Sequence, residues 1–145
     1  MTTPDNFMND IVIVSAEDPD ICIQVDANGK LEAWILLEDS DRQRFALSRT
    51  DTGFWTISSV TGGARIATDG EGRQLVISSS SGSETEWSLE FEGELDYGVP
   101  IKLMSRNLPN HYMTVHSNPD RSGEIRATPP AAYDQLWKLV KPKTR

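Results

Sequence analysis

Three short segments of this chain share one pattern, and their spacing restricts the possible folds more than any other feature. Arg44-Phe45-Ala46-Leu47, Glu86-Trp87-Ser88-Leu89 and Leu136-Trp137-Lys138-Leu139 each place a large aromatic two residues before a leucine. The aromatics stand at 45, 87 and 137, so the unit recurs after 42 and then 50 residues. Residues two apart on a strand face the same side, so each pair reads as a core contact. A strand pair, a glycine or asparagine turn, a third strand and a polar loop precede each aromatic strand. Ile11-Val12-Ile13, Trp55-Thr56-Ile57 and Ile101-Lys102-Leu103 open the three units. The repeats span about 10–49, 53–92 and 97–141 within one domain over 1–145.

The rest of the chain agrees with an all-β reading. Candidate strands fall at 11–15, 21–25, 32–37, 44–48, 54–58, 65–68, 74–78, 86–90, 100–105, 112–116, 124–127 and 136–140. Between them lie Asp26-Ala27-Asn28-Gly29, Thr61-Gly62-Gly63, Asp69-Gly70-Glu71-Gly72 and Ser122-Gly123. Glycine and asparagine there supply the positive φ that tight turns demand. No stretch has a sustained helical period with caps at both ends. Three units of four strands can close on themselves and leave few edges open.

Composition narrows the function classes. A chain of 145 residues with 37% hydrophobic and 25% charged residues can enclose one core. The net charge of −8 repels phosphate backbones, which argues against nucleic acid as a partner. No apolar run reaches the roughly 20 residues of a membrane helix, so no membrane partner is expected. Met1 to Asn6 lacks the basic and apolar stretches of a secretory signal, which implies a cytoplasmic protein or one released unconventionally. Cys22 is the only cysteine and sits in Ile21-Cys22-Ile23, so it reads as a small core residue. A monomer or a homodimer is expected.

Three four-stranded units that each end in an aromatic-x-leucine strand resemble the β-trefoil fold. Gln135-Leu136-Trp137 matches the Gln-x-Trp signature of ricin-B-type lectin repeats, Gln43-Arg44-Phe45 matches with Phe for Trp, and Thr85-Glu86-Trp87 keeps the Trp. In size, acidity and lack of a signal the chain is similar to small fungal β-trefoil proteins, a group that includes lectins and inhibitors of cysteine and aspartic proteases. In ricin-type repeats a carboxylate on the second strand holds sugar hydroxyls and an aromatic ending the third strand stacks on the ring. The resemblance places Gln24, Ala67 and Thr114 at the carboxylate position and Leu37, Ser78 and Thr128 near the stacking position. Neither element is present on this alignment, so a sugar site would have to lie elsewhere. The third unit offers Asn110, His111, Tyr112, His116, Asn118 and Arg121, which combine planar hydrogen-bonding groups with an aromatic.

Catalytic motifs are missing. His111 and His116 are the only histidines, and five residues apart on a strand they point to opposite faces. No Gly-x-Ser-x-Gly, phosphate-loop or His-Glu-x-x-His pattern occurs, and the acidic clusters at 17–20, 38–41 and 90–94 lack calcium-loop spacing. The expectation is a binding protein that is not an enzyme and needs no cofactor or metal. The fold resemblance makes a reversible inhibitor of papain-like, and also pepsin-like, proteases the leading expectation, with a lectin as the alternative. Asp26-Ala27-Asn28-Gly29-Lys30 is the expected protease-binding wedge, because its Asn-Gly turn is stiff and its side chains are small. Ala16 to Asp20, stiffened by Pro19, and Arg106 to Asn110, with Leu108 beside Pro109, are the other loops of that kind.

Overall fold

A computed structural model describes residues 8–117, 123–130 and 135–142. Twelve strands follow one another: β1 (Met8–Ser15), β2 (Ile21–Val25), β3 (Leu31–Ile35), β4 (Phe45–Arg49), β5 (Trp55–Ser59) and β6 (Arg65–Ala67), then β7 (Val76–Ser78), β8 (Trp87–Glu90), β9 (Lys102–Ser105), β10 (Tyr112–Ser117), β11 (Gly123–Thr128) and β12 (Trp137–Val140). Single 3-10 turns at Asp41–Gln43 and Ser83–Thr85 lead into β4 and β8.

The first and last strands of each unit make a closed barrel. Antiparallel pairing runs β12-β1-β4-β5-β8-β9. A bridge between Ile101 and Trp137 closes the ring, with Ile101 N donating to Trp137 O at 2.8 Å and Trp137 N donating back at 2.9 Å. Closure leaves the barrel no open edge. The middle strands form the hairpins β2-β3, β6-β7 and β10-β11, which meet one another at one end of the barrel. Lys30 bridges to Val76, Gln74 to Arg126, and Gly123 to Ala33. Leu31, Leu75 and Ile125 are fully buried and hold equivalent places in the three hairpins. Leu31 N donates to Leu75 O at 2.9 Å and Leu75 N to Ile125 O at 2.8 Å, so the hairpins are laced across a pseudo-threefold axis. This is the β-trefoil architecture.

The repeated pairs sit where their spacing requires. Phe45, Trp87, Trp137, Leu47 and Leu139 are buried in one core with Ile57, while Leu89 and Trp55 pack against it half-buried. Trp87 Nε1 donates to Ile66 O at 3.1 Å and Trp137 Nε1 to Met113 O at 2.9 Å, so each indole satisfies its polar atom on the hairpin of its own unit. Strand ends depart from the sequence reading where side chains or other hairpins compete for the ladder. The third strand stops at Ile35, because Leu36 N donates to Asp20 O and Leu37 N to Gln43 Oε1. The seventh begins at Val76, because Leu75 and Gln74 are drawn into the inter-hairpin bridges.

Candidate functional site

Register within the hairpins decides which residues are equivalent. Cys22 pairs with Trp34, Arg65 with Ser78 and Tyr112 with Thr128. Trp34, not Leu37, is therefore the counterpart of Ser78 and Thr128 and holds the stacking position of the first unit. This corrects the sequence alignment. The signal was only partial: antiparallel counting puts residue 34 opposite residue 22 once the turn is known to take the five residues after Val25, but that turn length is itself set by the register.

The first hairpin presents an aromatic and a carboxylate on one face. Glu32 and Trp34 are two apart on β3, and opposite them on β2 lie Gln24 and Cys22. Trp34 is 39% exposed, whereas Gln24 and Cys22 are buried. Behind this face Gln43 Nε2 donates to Gln24 Oε1 and to Ile35 O, both at 3.0 Å, while Gln43 Oε1 accepts from Leu37 N at 2.9 Å. Gln24 Nε2 in turn donates to Glu32 Oε2 at 2.8 Å. The amide relay uses up the Gln43 groups and fixes one oxygen of Glu32, so the carboxylate is oriented before any ligand arrives. Cys22 lies beside Val12 and Val14, and burial pushes its thiol up to about 12.

The other two units differ. In the third, Gln135 Nε2 donates to Thr114 Oγ1 at 3.0 Å and to Pro129 O at 2.8 Å, and the Thr114 and Thr128 hydroxyls bond each other at 2.7 Å. That position is closed on itself. In the second, Ala67 is buried and Thr85 Oγ1 donates to Gly82 O at 2.8 Å.

Of the third-unit residues singled out from sequence, the two histidines are not brought to one place. His111 precedes β10, whereas His116 lies near its far end, so about 17 Å of strand at roughly 3.3 Å per residue separates them. The expectation of two histidines on one strand is corrected accordingly. Asn110 is exposed at φ +66°. His111 Nδ1 lies 3.0 Å from Pro109 O, and its buried Nε2 faces Glu71 Oε1 at 3.5 Å. Tyr112 is buried, and its hydroxyl donates to Glu90 Oε2 at 2.8 Å. That hydrogen bond, with burial, raises the phenol above its ordinary value. Lys102 Nζ stands 5.6 Å from the ring centre. The side chain of His116 and all of Asn118 and Arg121 lie outside the described residues.

Asp26 to Lys30 does join β2 to β3. Asp26 Oδ1 accepts from Asn28 N at 2.7 Å and Lys30 N at 3.0 Å, and Asp26 N donates to Lys30 O at 2.8 Å. Ala27, Asn28 and Lys30 are exposed. Gly29 is not a free tip. Its φ is +78°, an added Cβ would stand 3.5 Å from Ile77 Cγ1, and its carbonyl accepts from Ile77 N at 2.9 Å. The glycine end of the wedge belongs to the contact with the second hairpin.

No protein-family model matches the chain, and no curated protein is significantly similar to it. Solved structures do match. The fold is shared with ThreeFoil, a designed three-fold symmetric protein, at a TM-score of 0.74 and 15% identity over 90% of this chain and 97% of that one. SeviL, solved bound to the asialo-GM1 saccharide, matches at a TM-score of 0.70 and 21% identity over 92% and 98% of the two chains. The exo-β-1,3-galactanase 1,3Gal43A from Clostridium thermocellum matches at 0.73 and 20% identity over 91% of this chain but 30% of the enzyme. At these identities the likeness establishes the β-trefoil fold.

Proposed function

We propose that this protein is a carbohydrate-binding module that acts without catalysis, and that its primary sugar site is the outer face of the first hairpin. The observation that carries the reading is the exposed Trp34 ring beside the pre-oriented Glu32 carboxylate. An aromatic face takes the apolar side of a pyranose, and a carboxylate accepts hydrogen bonds from vicinal hydroxyls. The carboxylate that a ricin-type repeat carries on its second strand is here supplied from the third, with Gln24 as its support. Neighbours in fold lend weight, since one was solved with a bound saccharide and another acts on a galactan. Galactose-containing glycans are the first class to test.

Protease inhibition through Asp26 to Lys30 is less well supported. The backbones of Gly29 and Lys30 are tied to the second hairpin, which leaves Ala27 and Asn28 as the exposed residues of the loop not held there.

A glycan array probed with wild type and Trp34→Ala tests the proposal. Wild type is expected to bind a set of glycans, and Trp34→Ala to lose that binding at least tenfold, with its melting temperature little changed. Glycan binding that persists in a folded Trp34→Ala would place the site elsewhere. Inhibition of papain or pepsin by wild type, with an empty array, would restore the inhibitor reading.

A further inference from the structure

The pseudo-symmetry of the trefoil puts two cavities in corresponding places, and their chemistry is opposite. Each lies between the turn joining the first and second strands of a unit and the segment after the third strand. In the first unit a cavity of about 270 Å³ is lined by Val14, Leu36 and Val140, with Pro19, Asp20 and Lys141 at its margin. In the second unit a cavity of about 220 Å³ is lined by Gly62, Gly63, Arg65, Ser78, Ser79 and Ser81, together with the small Ala64.

Arg65 sets the second cavity apart. It occupies the place of Cys22 in the first unit and Tyr112 in the third, and it is half-buried between Ser58 and Ser78 on the neighbouring strands. Arg44 is paired with Asp10 and Asp41, Arg106 with Glu86, and Arg126 with Glu124. Among the described residues no carboxylate pairs with Arg65. Glu84, the carboxylate nearest in sequence to the serine rim, is engaged by the Ser80 hydroxyl. A protein of net charge −8 thus keeps an unpaired guanidinium in a recess rimmed by hydroxyls. Gly62 and Gly63 hold φ at +86° and +75°, and a Cβ on either would meet nothing. The glycines serve the turn's backbone conformation, and that side of the recess stays open.

We infer that this recess binds the anionic group of an acidic sugar residue, a carboxylate or a sulfate ester, as a second subsite of the glycan-binding protein. The inference rests on the glycan-binding reading and extends it to a ligand class. Guanidinium presents two parallel N–H groups to either oxyanion, and the serine hydroxyls can donate to the remaining oxygens or to ring hydroxyls. The cavity is smaller than the 300–1,000 Å³ or so that drug-sized ligands occupy, so it suits one charged group with part of its ring. Partial burial protects the pair from the screening that weakens exposed charges.

Calorimetric titration at fixed ionic strength with 3′-sialyllactose, 3′-sulfated lactose, lactose and sodium sulfate tests this. The acidic sugars are expected to bind at least tenfold tighter than lactose, with sodium sulfate far weaker. Arg65→Gln should remove that preference and leave lactose affinity unchanged, and Arg65→Lys should keep part of it. Ser79→Glu, which sets a carboxylate at the mouth of the recess, should also abolish the preference in a folded protein. Equal affinity of wild type for acidic and neutral sugars, or a preference that survives Arg65→Gln, would overturn the inference. Sodium sulfate competing as well as the acidic sugars would overturn it too, by reducing the recess to a simple ion site. Trp34-dependent lactose binding without acid preference would sink this subsite alone, whereas no binding of any sugar would sink both readings.

Discussion

Two buried glutamines show how much of this molecule depends on single amides. Gln43 and Gln135 are each 1% exposed and stand two residues before the core aromatics Phe45 and Trp137. One ties the end of the first hairpin to its own second strand, and the other does the same in the third unit. Replacing Gln135 by Ala leaves Pro129 O and the Thr114 hydroxyl without that donor, and should cost about 1–3 kcal/mol by urea unfolding. Gln43→Ala should cost a similar amount and also lower glycan affinity, because Glu32 is oriented through Gln24. Cys22, whose thiol burial keeps protonated, should react with a thiol reagent only at the rate of unfolding. At this scale the aromatic-x-leucine residues were legible in the sequence, because a period of two on a strand leaves a large apolar side chain few options. Trp34 was not recognised, because its importance comes from which residue it faces, and that follows from register.

At the scale of elements, the hairpins do the work of binding and of closure together. The β2-β3 turn was recognisable from Asp26-Ala27-Asn28-Gly29, but its contact with Ile77 comes from a strand roughly fifty residues away in sequence. Gly29→Ala should therefore destabilise by about 1–2 kcal/mol, since an L-residue is strained at this φ. Substituting the exposed Ala27 by Ser should stay within about 0.5 kcal/mol. Equal melting temperatures for Gly29→Ala and wild type would show that the turn is not held against the second hairpin as described. The same lacing explains why β7 is short: Gln74 and Leu75 bond to neighbouring hairpins instead of to β6. Intra-unit ladders can be read from alternation, whereas bridges between units leave no periodic mark.

Across the whole molecule, the closed ring makes the units interdependent. Trp87→Ala or Trp137→Ala should cost about 3–5 kcal/mol and shift a single cooperative transition, because each indole packs in the shared core and holds a hairpin carbonyl. Glu86 joins the second unit to the third and to the linker before it: its carboxylate accepts from Thr52 Oγ1 at 3.0 Å and Arg106 Nη1 at 2.7 Å, and Arg106 also lies over Phe54. Burial alone would push Glu86 up, but these hydrogen bonds outweigh it and hold the carboxyl below its ordinary 4.5. Asp10 is held below 3.8, chiefly by its hydrogen bonds to Arg44. A carboxyl depressed on folding contributes stability above its unfolded value and loses that contribution as pH falls through the folded value. Urea midpoints should thus be level near neutrality and drop below about pH 4. Glu86→Gln should be less stable at pH 7 and show a shallower drop.

The sequence by itself determined the all-β class, the three units and most of the barrel core, because strand periodicity and turn chemistry act over neighbouring residues. It also determined the loss of the second-strand carboxylate, a matter of which residue stands at 24, 67 and 114. Only the tertiary structure decided that Trp34 faces Cys22, that Gly29 is engaged by Ile77, and that Arg65 stands at a serine-rimmed recess with no carboxylate partner among the described residues. Each of these depends on register or on contacts between units. Those are settled by the packing of the whole ring, since a one-residue slip would turn a strand's buried face to solvent.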